Sequence, residues 1–221
     1  MNIFDIVGPV MIGPSSSHTA GAARIGKISR MLFRDTIQSA EIKLFGSFAK
    51  TYKGHGTDRA LVGGILGMEP DDERIRDSLM IAKDQNIQVT IEKSNLTPKH
   101  PNTVEIKLKG DAGKEVVILG SSVGGGNIHI TQINGLDVSI TGQHDTLIVV
   151  HKDIPGVVGR VAEFLGNCDI NLCNMTLART KKGGVAVLSF EVDGNIDEEV
   201  TKFIERFPGV LQCTLLVEAG K

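Results

Sequence analysis

The 221-residue sequence has no Trp and a single Tyr, Tyr52. Aromatic residues make up only 4% of it, and a net charge of −2 comes with no block of Lys or Arg. Nucleic-acid binding needs an electrostatic footprint and stacking platforms, so both scarcities argue against it. Long apolar runs are missing too; none approaches the roughly 20 residues that span a bilayer. Met1-Asn2-Ile3-Phe4-Asp5 places no basic segment ahead of an apolar one, so no secretory signal is expected there. Cysteine is limited to Cys168, Cys173 and Cys213. An odd, irregularly spaced set points to a reduced, cytoplasmic protein without a disulfide framework. With 41% hydrophobic and 23% charged residues the chain is expected to be globular, with one large core or two modest ones.

What is there is a local excess of small hydroxylic residues, Gly13-Pro14-Ser15-Ser16-Ser17-His18-Thr19, followed at once by Ala20-Gly21-Ala22-Ala23. Ser, Thr and Gly satisfy the free N–H groups of a helix start, which also carries a partial positive charge. Hydroxyls and an imidazole around such a start make a pocket for a small carboxylate or phosphate. The same residues serve equally as an ordinary serine-rich N-cap. A hydrolase pairing Ser16 or Ser17 with His18 is a poor reading, because adjacent residues do not present nucleophile and base at the needed geometry and no nucleophile elbow is present.

The pattern beyond the cluster divides in two. Up to residue 142 it reads as α/β or α+β. A helix turns Ala20, Ala23, Ile28, Met31 and Leu32 inward, and Ala40-Glu41-Ile42-Lys43-Leu44 alternates as a half-buried strand. Thr57-Asp58 caps a second helix through Leu61, Ile65 and Leu66, weakened by Gly63-Gly64. Asp71-Asp72-Glu73 opens a third, with Ile75, Leu79 and Ala82 inside. Strands follow over 87–91, 104–108 and 116–119, and Asn134-Gly135 is a type I′ hairpin signal. Residues 146–221 give a cleaner βαββαβ order, a ferredoxin-like layer of two helices on one sheet. Asp153-Ile154-Pro155-Gly156 turns its first strand into a helix that buries Val157, Val158, Val161, Ala162 and Leu165, and Lys181-Lys182 is a solvated hairpin tip. The junction is expected at Gly142-Gln143-His144-Asp145, and the fold class is α+β.

Histidines and cysteines carry the remaining chemistry. His55 lies between Gly54 and Gly56, which lets the backbone approach a ligand and exposes the imidazole. His100 suits an exposed loop, His129 a core or pocket-lining strand position, and His144 and His151 have no assigned role. Gly124-Gly125-Gly126-Asn127 is an anion nest or a β-bulge, and with no helix after it forms no dinucleotide or phosphate-loop fingerprint. All three cysteines read as small buried hydrophobes, so the chain is expected to hold no metal by itself.

Asp5-Ile6-Val7-Gly8-Pro9-Val10-Met11-Ile12-Gly13-Pro14-Ser15-Ser16-Ser17-His18-Thr19 resembles the opening signature of the beta domain of iron–sulfur-dependent L-serine dehydratases. Gly54-His55-Gly56-Thr57-Asp58 resembles that family's second motif, and the last part of the chain resembles an ACT domain. The resemblance covers essentially the whole chain, residues 1–142 as the beta domain and 146–221 as the ACT domain, and is to the split enzyme, whose beta chain pairs with a separate alpha chain. It implies α,β-elimination of L-serine to pyruvate and ammonia without pyridoxal phosphate, serving amino-acid catabolism and gluconeogenesis. It also implies a [4Fe-4S] cluster ligated by the alpha chain, with an open iron that polarises the departing hydroxyl. His55 and His18 are implied active-site residues. Of the two, His55 is read as the base for the Cα proton, while His18 orients the substrate with Ser15, Ser16, Ser17 and Thr19. The ACT half implies either an amino-acid effector at Asp153, Pro155, Gly156 and Val157, completed by Asn171 of a second copy, or self-association alone. A non-catalytic amino-acid sensor is the alternative of another class.

Overall fold

A computed structural model describes residues 11–217, so Asp5–Val10 of the opening signature lie outside the described residues. The chain divides into two compact units, one ending at Asn134 and the other beginning at Gly135.

In the first unit the strands β1 (Ile37–Leu44), β2 (Gln88–Lys93), β3 (Thr103–Gly110), β4 (Glu115–Gly124) and β5 (Asn127–Ile133) lie in the order β2-β1-β3-β4-β5. β1 pairs with β2 in parallel, and the other ladders are antiparallel. The parallel pair needs a crossover. It is supplied by α2 (Gly46–His55), α3 (Thr57–Ile65), a 3₁₀ turn (Glu73–Asp77) and α4 (Ser78–Asp84). α1 (Ala22–Phe33) buries Ala22, Ala23, Ile25, Ile28, Leu32 and Phe33. It crosses α3 at backbone contact: a Cβ on Gly64 would stand 1.9 Å from the Ala23 carbonyl oxygen, and one on Gly26 2.3 Å from that of Leu61. Gly63-Gly64, a weakness by helix propensity, is thus required by packing.

Three expectations are corrected here. α3 is not capped by Thr57-Asp58; Gly56, with φ 69°, takes the cap position, and Thr57 is fully buried. Leu79 is exposed, because the 3₁₀ turn ahead of α4 shifts the helical phase so that Ile75, Ser78 and Ala82 face inward. Gly46–His55 was not expected to be helical; only Phe48 and Ala49 of it are buried, so its apolar period is too thin to read.

The second unit opens with β6 (Leu136–Ile140). β7 (Asp145–Lys152), α5 (Val157–Asn167), β8 (Asn171–Arg179), β9 (Val185–Asp193), α6 (Glu198–Ile204) and β10 (Val210–Leu216) follow. The sheet order β10-β7-β9-β8, antiparallel throughout, is the ferredoxin-like arrangement. Leu147, Val149, Val161, Leu165, Leu188, Phe190 and Ile204 form the center of its core. β6 packs with β8 and β9, and Thr141 donates through its N–H and hydroxyl to Glu191. Those contacts set the division at Asn134/Gly135 rather than at residues 142–145. Asn134 and Gly135 both have positive φ (52° and 75°), as a type I′ turn requires. Of the cysteines, only Cys213 is buried; Cys168 and Cys173 are exposed, one closing α5 and the other on the edge strand β8.

Candidate active site

The hydroxyl-rich segment does not start an ordinary capped helix. Ser17–Gly21 forms one wide, π-type turn running into α1, and Ser16 before it is already helical, with no side-chain cap bond. Such turns are rare and concentrate at functional sites. The Thr19 N–H donates to the Ser15 carbonyl at 2.8 Å and the Gly21 N–H to that of Ser16 at 3.0 Å. The turn buries His18 (8% exposed) and Thr19 (1%) while Ser15, Ser16 and Ser17 stay half-buried. Gly21 admits Ser122 of β4: a Cβ there would lie 2.0 Å from the Ser122 hydroxyl oxygen.

Facing His18 is a stripe on α2. Ser47, Thr51 and His55 are spaced by four, which sets them on one helix face. The Thr51 hydroxyl donates to the Ser47 carbonyl at 2.9 Å, so its oxygen accepts from His18 Nε2–H at 3.0 Å. That arrangement fixes the tautomer with the proton on Nε2 and leaves Nδ1 to accept from the Ser15 hydroxyl at 3.3 Å. Burial first, then the neighbouring His55 charge, hold His18 below its ordinary pKa, so its ring is neutral. Phe48 packs edge-on at 5.2 Å between ring centroids and His55 at 4.6 Å.

His55 is the last residue of α2, ended by the left-handed Gly56. It is half-buried rather than exposed, and its Nδ1 is buried without a protein partner. The Thr19, Thr57 and Ser122 hydroxyls and Asn102 Oδ1 are likewise buried and unpartnered. Buried polar atoms are ordinarily paired, and leaving one unpaired costs about 1–3 kcal/mol. Ser122 N–H donates to the Asn102 carbonyl, which ties two of these residues together. Ser47, Thr51 and Ser122 were missed in the sequence; the four-residue spacing Ser47–Thr51–His55 is the signal that could have found the first two.

The remaining candidates settle into structural places. Gly124, Gly125 and Gly126 all have positive φ and form the β4–β5 turn, where Arg24 donates to the Gly126 carbonyl at 2.7 Å. His100 is half-buried; its Nδ1 accepts from the Asn102 N–H at 3.2 Å, so it shapes a loop instead of standing free. In the second unit, Asp153 accepts from the Gly183 N–H and from Arg179, which lower its pKa in that order. Pro155 is exposed, Gly156 (φ 89°) ends the loop and Val157 is buried at the start of α5. Asn171 donates to Asp193 at 2.7 Å. It lies at the opposite end of β8 from Arg179, roughly 25 Å away along the strand, so one copy does not bring it to Asp153.

The cysteines do not suit a [4Fe-4S] cluster, which needs several converging thiolates. Cys213 is in the core on β10 and Cys173 is exposed on β8, at the two edges of the four-stranded sheet and offset by four residues along it, so they are roughly 19 Å apart.

Residues 2–84 match the family described as "Serine dehydratase beta chain". The chain is 42% identical over 217 residues to the probable L-serine dehydratase, beta chain, of Bacillus subtilis (strain 168), covering 98% of each. It is 39% identical over 208 residues to the L-serine dehydratase, beta chain, of Peptoniphilus asaccharolyticus, covering 92% of this chain and 94% of that one. A more distant similarity, 24% over 196 residues, is to the D-3-phosphoglycerate dehydrogenase of Bacillus subtilis, covering 88% of this chain and 37% of that protein. With full-length identity of this order to two such chains, the protein belongs to the L-serine dehydratase beta chain family.

Proposed function

We propose that this chain supplies the base and the substrate-orienting groups of an L-serine ammonia-lyase, which converts L-serine to pyruvate and ammonia after assembly with an alpha chain. The observation that carries the proposal is the imidazole pair. His18 is engaged at both ring nitrogens and held neutral, whereas His55, in edge contact with it, keeps a buried Nδ1 open. A group that collects a proton needs a free nitrogen and a pKa near working pH, and His55 offers the nitrogen. His18 is suited to fixing the place of Ser15, whose hydroxyl hydrogen is turned to His18 Nδ1. Ser16, Ser17 and Thr19 complete the proposed substrate pocket, and the unpartnered hydroxyls of Ser122 and Thr57 give further polar atoms for an amino acid's carboxylate and ammonium groups. The [4Fe-4S] cluster is assigned to the alpha chain, since the cysteines here do not converge. No pyridoxal phosphate is invoked, and the small, odd number of cysteines supports a reducing, cytoplasmic setting.

The second unit is assigned to self-association, alone or with an amino-acid effector at Asp153–Val157 of the dimer. β8 is an edge strand, and its Met175 and Leu177 are 49% and 50% exposed. Unpaired edges with apolar side chains recruit another strand.

Kinetics on the enzyme reconstituted with its alpha chain test the assignment. His55→Ala should lower kcat by about 10²–10⁴ without disturbing assembly. Ser16→Ala and Ser17→Ala should act more on KM than on kcat. Near-normal kcat in assembled His55→Ala enzyme removes the base assignment, and an inactive His18→Ala enzyme beside it exchanges the two roles. Assembly with no serine turnover by the wild type favours the sensor alternative.

A further inference from the structure

We infer that His144, Cys173 and Asp193 form a binding site for a borderline divalent cation of the zinc class at one end of the second unit's sheet. Their ligand atoms, an imidazole nitrogen, a thiol sulfur and a carboxylate oxygen, all lie within 4.8 Å of one another. A tetrahedral ion with bonds of about 2.0–2.3 Å to these atom types holds its ligands about 3.3–3.8 Å apart. Closing the difference takes about 1 Å of side-chain rotation, and two of the three residues, Cys173 and Asp193, are exposed. The nitrogen–sulfur–oxygen set is one that zinc accepts and that magnesium and calcium, which prefer oxygen alone, do not.

The convergence follows from the strand order. β9 lies between β7 and β8, and Asp193 is its last residue. Asp145 pairs with Val192, so His144, the residue before β7, comes alongside Asp193 from one side. From the other side, Asn171 pairs with Asp193 and the β8–β9 register shifts between Leu172 and Asn174. Cys173 is the extra residue of that bulge. Bulges re-aim a side chain out of the ladder, here toward the strand end where the other two stand.

The surroundings favour a cation. Asn171 donates to Asp193 Oδ2 at 2.7 Å, which orients the carboxylate and leaves Oδ1 for a metal, as outer partners of metal ligands do. Glu191, two residues back on the same strand face, is 5% exposed and accepts from Thr141 and Asn174. The fourth position is left to water. This site belongs to the second unit and shares no residue with the imidazole pair, and it departs from the expectation that the chain holds no metal.

Titration of the full-length reduced chain with Co²⁺, in buffer free of chelators and added thiols, tests the site. One equivalent should give a thiolate-to-cobalt charge-transfer band with the visible absorption of a tetrahedral ion, and Zn²⁺ should displace it. Cys173→Ser should abolish the charge-transfer band. His144→Ala and Asp193→Asn should each weaken binding by at least the roughly 10–100-fold that loss of an outer partner causes. Cys168→Ser, an exposed thiol outside the trio, should change nothing. Absence of a thiolate band at excess Co²⁺, loss of the band in Cys168→Ser, or unchanged affinity in both His144→Ala and Asp193→Asn would overturn the site.

Discussion

The two helix pairs of this protein meet their neighbours in opposite ways. α1 and α3 in the first unit touch backbone to backbone, with Gly26 and Gly64 each set against a carbonyl of the facing helix. α5 and α6 in the second are held apart by aromatic rings: Phe164 stacks on Phe203 at 4.7 Å between centroids, and Phe207 meets both edge-on. The first arrangement leaves no volume for a methyl group, while the second can repack. Irregular backbone follows the same division. The wide turn and the unpartnered buried hydroxyls gather where the chemistry is proposed, whereas the βαββαβ unit builds a conventional apolar core on ladders broken by single register shifts in β8 and β10. Close backbone contact brings His18 and the α2 stripe together at the expense of tolerance to change.

The largest effect expected is on the regular core. Phe190, fully buried between the sheet and its helices, should lose about 3–5 kcal/mol on truncation to Ala, read as a lower urea midpoint at unchanged slope. Loss of under 1 kcal/mol would show that this core repacks far more freely than its contacts indicate. A paired substitution sharpens the contrast between the helices. Gly64→Ala forces a methyl against the Ala23 carbonyl and should destabilise by about 1–3 kcal/mol or more. Gly159→Ala on α5 has open space and should stabilise by about 0.4–1 kcal/mol. Equal outcomes from the two, in parallel denaturant melts, would end the distinction drawn between the helix pairs.

Smaller effects probe the imidazole pair. Thr51→Val removes the nearer acceptor for His18 Nε2–H, leaving the Ser47 hydroxyl at 3.5 Å, and should raise the turnover barrier by about 0.5–1.5 kcal/mol. Nitrogen NMR of the ring should then report a mixture of tautomers in place of one. The smallest expected change is in pH dependence. His18 has a folded pKa below its ordinary 6.5, so the unfolded chain binds a proton there first. Its contribution is therefore complete above 6.5 and is lost as pH falls from 6.5 through the lower folded value. Melting midpoints of the wild type should drop more between pH 7 and 5 than those of His18→Asn, and parallel curves would show that His18 is not the titrating group.

Legibility tracked regularity. The ferredoxin-like unit was readable because Val157, Val161 and Leu165 keep helical spacing and the β7 and β9 segments are apolar runs of strand length. α2 was not readable, since Phe48 and Ala49 alone are buried and its fold comes from neighbours: the Ser47 N–H donates to the Pro101 carbonyl at 2.6 Å, and Gly46 at φ 54° packs against Pro101. The exposure of Cys173 was hidden for a similar reason. A strand's place at the sheet edge depends on pairing order, which short-range pattern does not carry.

By itself the sequence determined the α+β class, the βαββαβ order and the two histidine motifs, because hydrophobic period and residue chemistry are local properties. Tertiary structure alone decided that Ser17–Gly21 opens into a wide turn, that Thr51 fixes the His18 proton on Nε2, and that Gly63-Gly64 serves a helix crossing. It alone also placed His144, Cys173 and Asp193 at one strand end. Apart from the turn, whose bonds are local, each of these rests on contacts between residues far apart in the chain, where distance and direction in space, and no spacing in sequence, fix the chemistry.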